Sequence, residues 1–230
     1  EEIIMAVNQF NLKAGQRAER KTLITVVEWT TDTPEDVYYV QVEQPADWTT
    51  NYTSYYTKSG SSYIAVPAGS SAPLWTINTY FTKVTTSTFR EILGTRTEDS
   101  SIEYNADIST STDIRGINYT DLEKTQPQQA FDPFLVLGGS RLGAMLNDIR
   151  RRNALSELNQ FTCYIITAYI GDSTNGYDAE KHYGCTITYD SLGGDTKVNF
   201  PITVYFSNNS VLGTVNKLTE DFTFTPDVSI

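Results

Sequence analysis

Apolar residues recur at every second position through much of this chain, and that spacing constrains its fold more than any other feature. Val198, Phe200, Ile202, Val204 and Phe206 alternate with other types, and Ile102, Tyr104, Ala106 and Ile108 alternate with Glu103, Asn105 and Asp107. A period of two suits a strand with one face on a core and the other toward water; a helix would repeat its stripe at about 3.6. Residues 74–84 follow the same rule, with Trp75, Ile77 and Phe81 on one face and Thr76, Asn78 and Thr82 on the other. Composition points the same way, because 32 of the 230 residues are Thr and 15 are Tyr, types that fit a pleated, half-buried surface.

Reading along the chain, residues 23–29 and 37–42 predict two strands, with a turn at 30–36 around Thr33-Pro34-Glu35-Asp36 making them a hairpin. Residues 43–62, rich in Asn, Thr, Ser and Tyr, read as a long polar loop of the kind that usually has a binding or assembly role. One helix is predicted between residues 130 and 158. Asp132-Pro133 offers an N-cap and a first-turn proline, and Leu142, Met145, Leu146 and Ile149 form one stripe. Gly138-Gly139-Ser140 interrupts the pattern, so the alternatives are a kink or a second helix capped by Ser140. Arg150, Arg151 and Arg152 suit the carbonyl end of that helix. Residues 161–170 are apolar on both faces and predict a central strand. Residues 183–189 and 198–206 predict a hairpin across the turn at 191–195, with Pro201 indicating an edge or a bulge. Residues 218–225 predict a last strand with Phe222 and Phe224 inward. The expectation is one mainly β domain over 1–230, with an N-terminal arm at 1–20, a C-terminal arm at 219–230 and a single flanking helix.

Seventeen Lys and Arg stand against 28 Asp and Glu, a net charge of -11. That balance disfavours a general grip on nucleic acid or on an anionic membrane, both of which need clustered cations. The apolar run at 161–170 is half of the roughly 20 residues that span a bilayer, so no membrane partner is expected. Glu1-Glu2-Ile3-Ile4 lacks a basic stretch followed by an apolar one, so no signal peptide is visible. Three Asn-x-Ser/Thr matches, at Asn51, Asn118 and Asn208, are expected by chance in so Thr-rich a chain. Cys163 and Cys185 lie in apolar strand patterns and read as buried free thiols, with a disulfide left open if neighbouring strands join them. With His182 they are too few for a zinc site, and His182 reads as a turn or edge histidine. Glu103 and Asp107 share a predicted strand face, but four residues at about 3.3 Å place them about 13 Å apart, too far for a glycosidase pair. No nucleophile elbow and no phosphate loop is present. The sequence calls for no catalysis and no cofactor.

The order of these features resembles the tail tube (major tail) proteins of tailed bacteriophages. The residues that carry the likeness are Ser101-Ile-Glu-Tyr-Asn-Ala-Asp-Ile108, Phe131-Asp-Pro-Phe134 and Tyr183-Gly-Cys-Thr-Ile-Thr-Tyr-Asp-Ser-Leu-Gly-Gly-Asp195. The resemblance implies a β-sandwich or half-barrel of two packed antiparallel sheets. It implies homo-hexameric rings whose inner sheets join around a channel, stacked head to tail into a virion tail assembled in the host cytoplasm. The partners implied are other copies of the chain, other tail proteins, and DNA as cargo that passes without specific binding. An acidic channel wall suits that passage. Under the resemblance, Glu103, Asn105 and Asp107 are expected as one lumen-facing row. Trp48, Tyr52, Tyr55 and Tyr56 in the 43–62 segment are expected at contacts between subunits, as are both termini and Arg150, Arg151 and Arg152. The competing expectation is a β-sandwich adhesin or carbohydrate-binding module, with Trp48, Tyr52, Tyr55 and Tyr56 as a stacking platform.

Overall fold

The computed structural model describes residues 11–13, 16–94, 97, 100–134, 139–195 and 197–227. Parts of the expected arms (1–10, 14, 15 and 228–230) and of the expected helix span (135–138) lie outside the described residues. The fold is mainly β and antiparallel, as the alternation predicts. In chain order the strands are β1 Leu23–Val40, β2 Tyr55–Ser59, β3 Ser62–Ala65, β4 Tyr80–Ile92, β5 Ile102–Glu103, β6 Asp107–Thr112 and β7 Asn118–Lys124. They continue with β8 Gln128–Phe131, β9 Phe161–Asp172, β10 Gly176–Tyr189, β11 Ile202–Tyr205, β12 Ser210–Val215 and β13 Phe224–Pro226. Two α-helices join them, α1 Trp48–Asn51 and α2 Arg141–Arg152, so the flanking helix is accompanied by a second, very short one.

Where the sequence reads as one domain, the chain forms two compact units: Glu1–Trp29 with Arg90–Ile230, and the inserted Thr30–Phe89. No linker marks the change, because the chain leaves the first unit along β1 and returns along β4. The predicted hairpin at 23–42 is instead this single 18-residue strand β1. Thr30 and Thr31 favour extended backbone, and residues 30–36 contain no Gly or Asn to take a positive φ. Asp36, where the turn was expected to end, is held in the ladder by Lys83 Nζ at 2.8 Å and the Thr85 hydroxyl at 2.7 Å.

The first unit is built as two sheets that share β10. One runs β4-β1-β9-β10-β12-β13 and the other β10-β11-β8-β5. Residues 176–183 of β10 pair with β9, then a bulge between Tyr183 and Cys185 intervenes, and Thr186 to Tyr189 pair with β11. Gly184 adopts φ 70° in that bulge, a conformation glycine takes without a Cβ penalty, and the strand changes sheets there. The 161–170 run is the central strand it was expected to be, between β1 and β10. Its register puts Val26 beside Tyr164 and Thr25 beside Ile165. On one face Val26, Tyr164, Ile166, Ala179, Val215 and Phe222 close a core. On the other, the Thr25 hydroxyl donates to Gln129 Oε1 on β8 at 2.6 Å, tying the two sheets together. A half-buried ion pair, Arg90 Nε to Glu28 Oε2 at 2.6 Å, also receives the Tyr164 hydroxyl at 3.1 Å.

The predicted hairpin of residues 183–206 forms, with Phe200, Ile202, Val204 and Phe206 buried. β11 is no edge, however: it lies between β10 and β8, and Pro201 is accommodated just before the strand, where no ladder donor is required. The last strand is shorter than expected; Phe222 is buried ahead of β13.

The helix begins later than Asp132-Pro133. Residues 128–131 form β8, and the Asp132–Pro133 bond is cis. Of the two alternatives, the helix capped by Ser140 is present: Ser140 Oγ accepts from Gly143 N at 3.0 Å. The same hydroxyl donates to Glu91, whose other carboxylate oxygen accepts from Leu142 N at 3.0 Å. A carboxylate borrowed from β4 therefore completes the cap and complements the positive helix end. Leu142, Leu146 and Ile149 are buried as the stripe predicts, and Asn153 at φ 55° ends the helix.

Candidate assembly surface

The residues expected at a functional surface fall into three groups, which the fold treats differently. In the inserted unit, the expected loop 43–62 is irregular only over 43–47; the rest folds as α1, one turn of 3-10 helix, β2 and, after a turn at 60–61, the start of β3. Trp48 is 2% exposed, with its ring centroid 4.3 Å from Tyr80, 5.0 Å from Trp75 and 5.4 Å from Tyr55. Its indole N–H donates to Pro73 O at 3.0 Å. The Tyr52 hydroxyl donates to Gly69 O and accepts from Gly69 N, and the Tyr55 hydroxyl donates to Asp47 at 2.9 Å. Burial and that bond to Asp47 push the Tyr55 phenol up to about 12. Trp48, Tyr52 and Tyr55 are thus a core, neither subunit contacts nor a stacking platform; of the four aromatics only Tyr56 is partly exposed. Sequence reading missed this because aromatic side chains with polar tips look like surface until each tip has a partner.

The second group is the three arginines. Arg152 is committed to its own chain, Nε to Asp148 at 2.7 Å and both terminal nitrogens to the Glu157 carboxylate at 2.9 Å. That fork holds the Glu157 carboxyl below its ordinary range. Arg150 donates to Asn147 at 2.9 Å. Arg151 is exposed and, among the described residues, meets no partner.

The third group, expected on one strand, is split. β5 stops at Glu103, and Asn105 takes φ 40° before β6 begins at Asp107. The Asn105 side chain donates to Gln126 O at 3.1 Å, and Gln126 N donates to Tyr104 O at 2.9 Å. Asn is among the few non-Gly types that tolerate this conformation, so the alternation at 102–108 ends in a corner. Glu103 accepts from Gln128 at 3.3 Å, whereas Asp107 lies 3.9 Å from Lys124. The three side chains do not form a single row.

Beyond that corner β6 and β7 pair with each other, and among the described residues with nothing else. Every residue of β7 is exposed, as is every residue of β6 except the half-buried Ser109. Ile108 and Leu122 face each other across the ribbon at 58% and 62% exposure, and Ile114 at the tip is wholly exposed. The tip is nevertheless ordered by its own bonds. Asp113 Oδ1 accepts from Ile117 N at 2.9 Å and Arg115 N at 2.8 Å, contacts that hold the Asp113 carboxyl below its ordinary range. Gly116 at φ 76° closes the turn. Residues 103–124 carry five carboxylates against two cations. A two-stranded ribbon is at best marginally stable in water by itself, and its Ile108–Leu122 pair leaves more than half of each residue in water.

Elsewhere the described residues line a cleft of about 400 Å³ beside Arg20, Thr25, Ser100 and Phe131 and another of about 380 Å³ beside Ser140, Asn147 and Phe200. Neither is lined by a carboxylate or an imidazole. Among the described residues no cluster of three or more His, Cys, Asp or Glu side chains could hold a metal ion, and no helix is long and apolar enough to cross a membrane. His182, expected at a turn or edge, lies inside β10 between β9 and β12, with Nδ1 2.8 Å from Ser207 O. Compared with known proteins, the chain matches no family model, no curated protein and no solved structure.

Proposed function

We propose that this chain is a structural assembly protein, a subunit of a bacteriophage tail tube that polymerises as stacked six-membered rings around an acidic channel conducting DNA. The observation that carries the self-assembly is the β6–β7 ribbon: ordered at its tip, unpaired at both edges among the described residues, and apolar at Ile108 and Leu122. The occupant is a second copy of the chain, because a subunit repeated in one assembly must present both the ribbon and the surface that receives it. Arg151, exposed at the end of α2 and without a partner among the described residues, is a complement to the acidic ribbon. The order of elements along the chain and its excess of acid support the tail-tube form of the assembly, with Glu103 and Asp107 as wall charges on separate elements. The adhesin reading loses its support, since Trp48, Tyr52 and Tyr55 are buried.

The test is sedimentation velocity and negative-stain microscopy of the purified chain at rising concentration. Rings or tubes are expected, and a chain that stays monomeric throughout overturns the proposal. Ile108→Asp with Leu122→Asp should raise the concentration needed for assembly by at least roughly 100-fold, given about 1.5–3 kcal/mol for each buried side chain. Its circular dichroism should be unchanged.

A further inference from the structure

The two cysteines meet where β10 changes sheets. Register sets Cys163 opposite His182 and Cys185 opposite Phe161, so the pair is offset along neighbouring strands, and the Gly184 bulge lies within that offset. Both side chains are buried and free, and they lie on the same face of adjacent strands, Cys185 beside Phe161 and Cys163 two residues further along β9. The Cys185 thiol also lies 3.5 Å from His182 O. The two sulfurs are chemically unlike. Burial pushes the Cys163 thiol well up, whereas the neighbouring Cys163 thiol, with His182 nearby, lowers the Cys185 thiol. The more acidic thiol supplies the attacking thiolate in thiol–disulfide exchange, and a second thiol on the neighbouring strand is a resolving group.

We infer that Cys163 and Cys185 are an oxidisable pair that closes to a cross-strand disulfide between β9 and β10 when a small-molecule disulfide reaches them. The Cys185 thiolate attacks one sulfur of the reagent, a Cys185–reagent bond forms, and one reagent thiolate leaves. Cys163 then gives up its proton to that thiolate and attacks the Cys185 sulfur, expelling the second reagent thiolate. The two protein thiols are oxidised by two electrons, and the reagent disulfide is reduced to two thiols. Because both sulfurs are buried, the rate is set by opening of the bulge around Tyr183 and Gly184, so closure is slow in the native state and faster in mild denaturant. The bond ties the two strands where one sheet becomes the other, and it should raise the melting temperature by a few degrees.

The experiment treats the full-length chain with oxidised glutathione, quenches it in acid, and counts thiols after unfolding alongside peptide mapping. Expected is a monomer lighter by two hydrogens, with a Cys163–Cys185 cross-linked peptide and neither thiol reactive. In Cys163→Ser the glutathione adduct should persist on Cys185; in Cys185→Ser adduct formation should fall at least roughly tenfold, since the remaining thiol is the less acidic one. Two thiols still free after incubation in mild denaturant, a persistent adduct in the unmutated chain, or a bond between two chains would each overturn the inference. Mapping of the unmutated protein decides the matter even where a variant does not fold.

Discussion

Residues 47–65 and residues 103–124 are both about twenty residues long, polar in composition and built around a small hairpin, yet they meet water in opposite ways. The first folds over Trp48, with the tips of Tyr52, Tyr55 and Trp48 itself all hydrogen-bonded to neighbours in the same unit. The second satisfies its turn through Asp113 but leaves Ile108, Leu122 and Ile114 outside. The difference separates a segment whose apolar groups are covered within its own chain from one whose apolar groups are left in water. It also inverts the roles suggested by polarity, since the aromatic-rich stretch is the core and the alternating strand is the surface.

Trp48→Ala should produce the largest break in this contrast. Removing the ring around which Tyr55, Trp75 and Tyr80 pack should cost about 3–5 kcal/mol, visible as lost hydrogen-exchange protection at 48–80. The ribbon double variant, Ile108→Asp with Leu122→Asp, comes next, and its signature is the reverse: assembly lost and the urea midpoint unmoved. If instead it destabilised the monomer by as much as Trp48→Ala, the ribbon would be packed in its own chain and the contrast would fail.

Tyr55→Phe sharpens the first half at about 1 kcal/mol, the usual worth of one hydrogen bond, and it carries a pH signature. The folded phenol ionises at about 12, against roughly 10 in the unfolded chain. Its contribution is therefore whole below pH ~10 and is lost as the pH rises toward 12, so the variant should show a flatter alkaline decline in urea stability. The smallest effect on folding is expected of Glu103→Lys with Asp107→Lys, within about 0.5 kcal/mol because both groups are exposed. Assemblies of that variant should retain duplex DNA on a filter at low salt where unmutated assemblies release it; equal retention would remove these two carboxylates from the channel wall.

How far the fold was legible depended on whether a signal was local. The stripe Leu142, Leu146 and Ile149, the cap at Ser140 and the central strand at 161–170 were readable because spacing and capping act within a few residues. β1 was not, because whether residues 30–36 turn or continue depends on Lys83 and Thr85, some fifty positions away, which hold Asp36 extended. The cap contributed by Glu91 was equally hidden, since its partners Ser140 and Leu142 are remote in sequence. Of the candidate surface, Glu103 and Asp107 were identified as exposed acids, but the corner at Asn105 that separates them depends on the Gln126 backbone. The strands β7 and β12 carry too weak an alternation to be read without their partners.

The sequence by itself determined a mainly β chain, acidic, with one amphipathic helix and two cysteines in apolar strands, because period, propensity and charge are properties of neighbours along the chain. Only the tertiary structure decided which faces are covered. It buried Trp48, Tyr52 and Tyr55, exposed the Ile108–Leu122 pair, and set Cys163 and Cys185 on adjacent strands beside the Gly184 bulge. Burial is set by what packs from elsewhere in the chain, and alternation says that a strand has two faces without saying what lies against either.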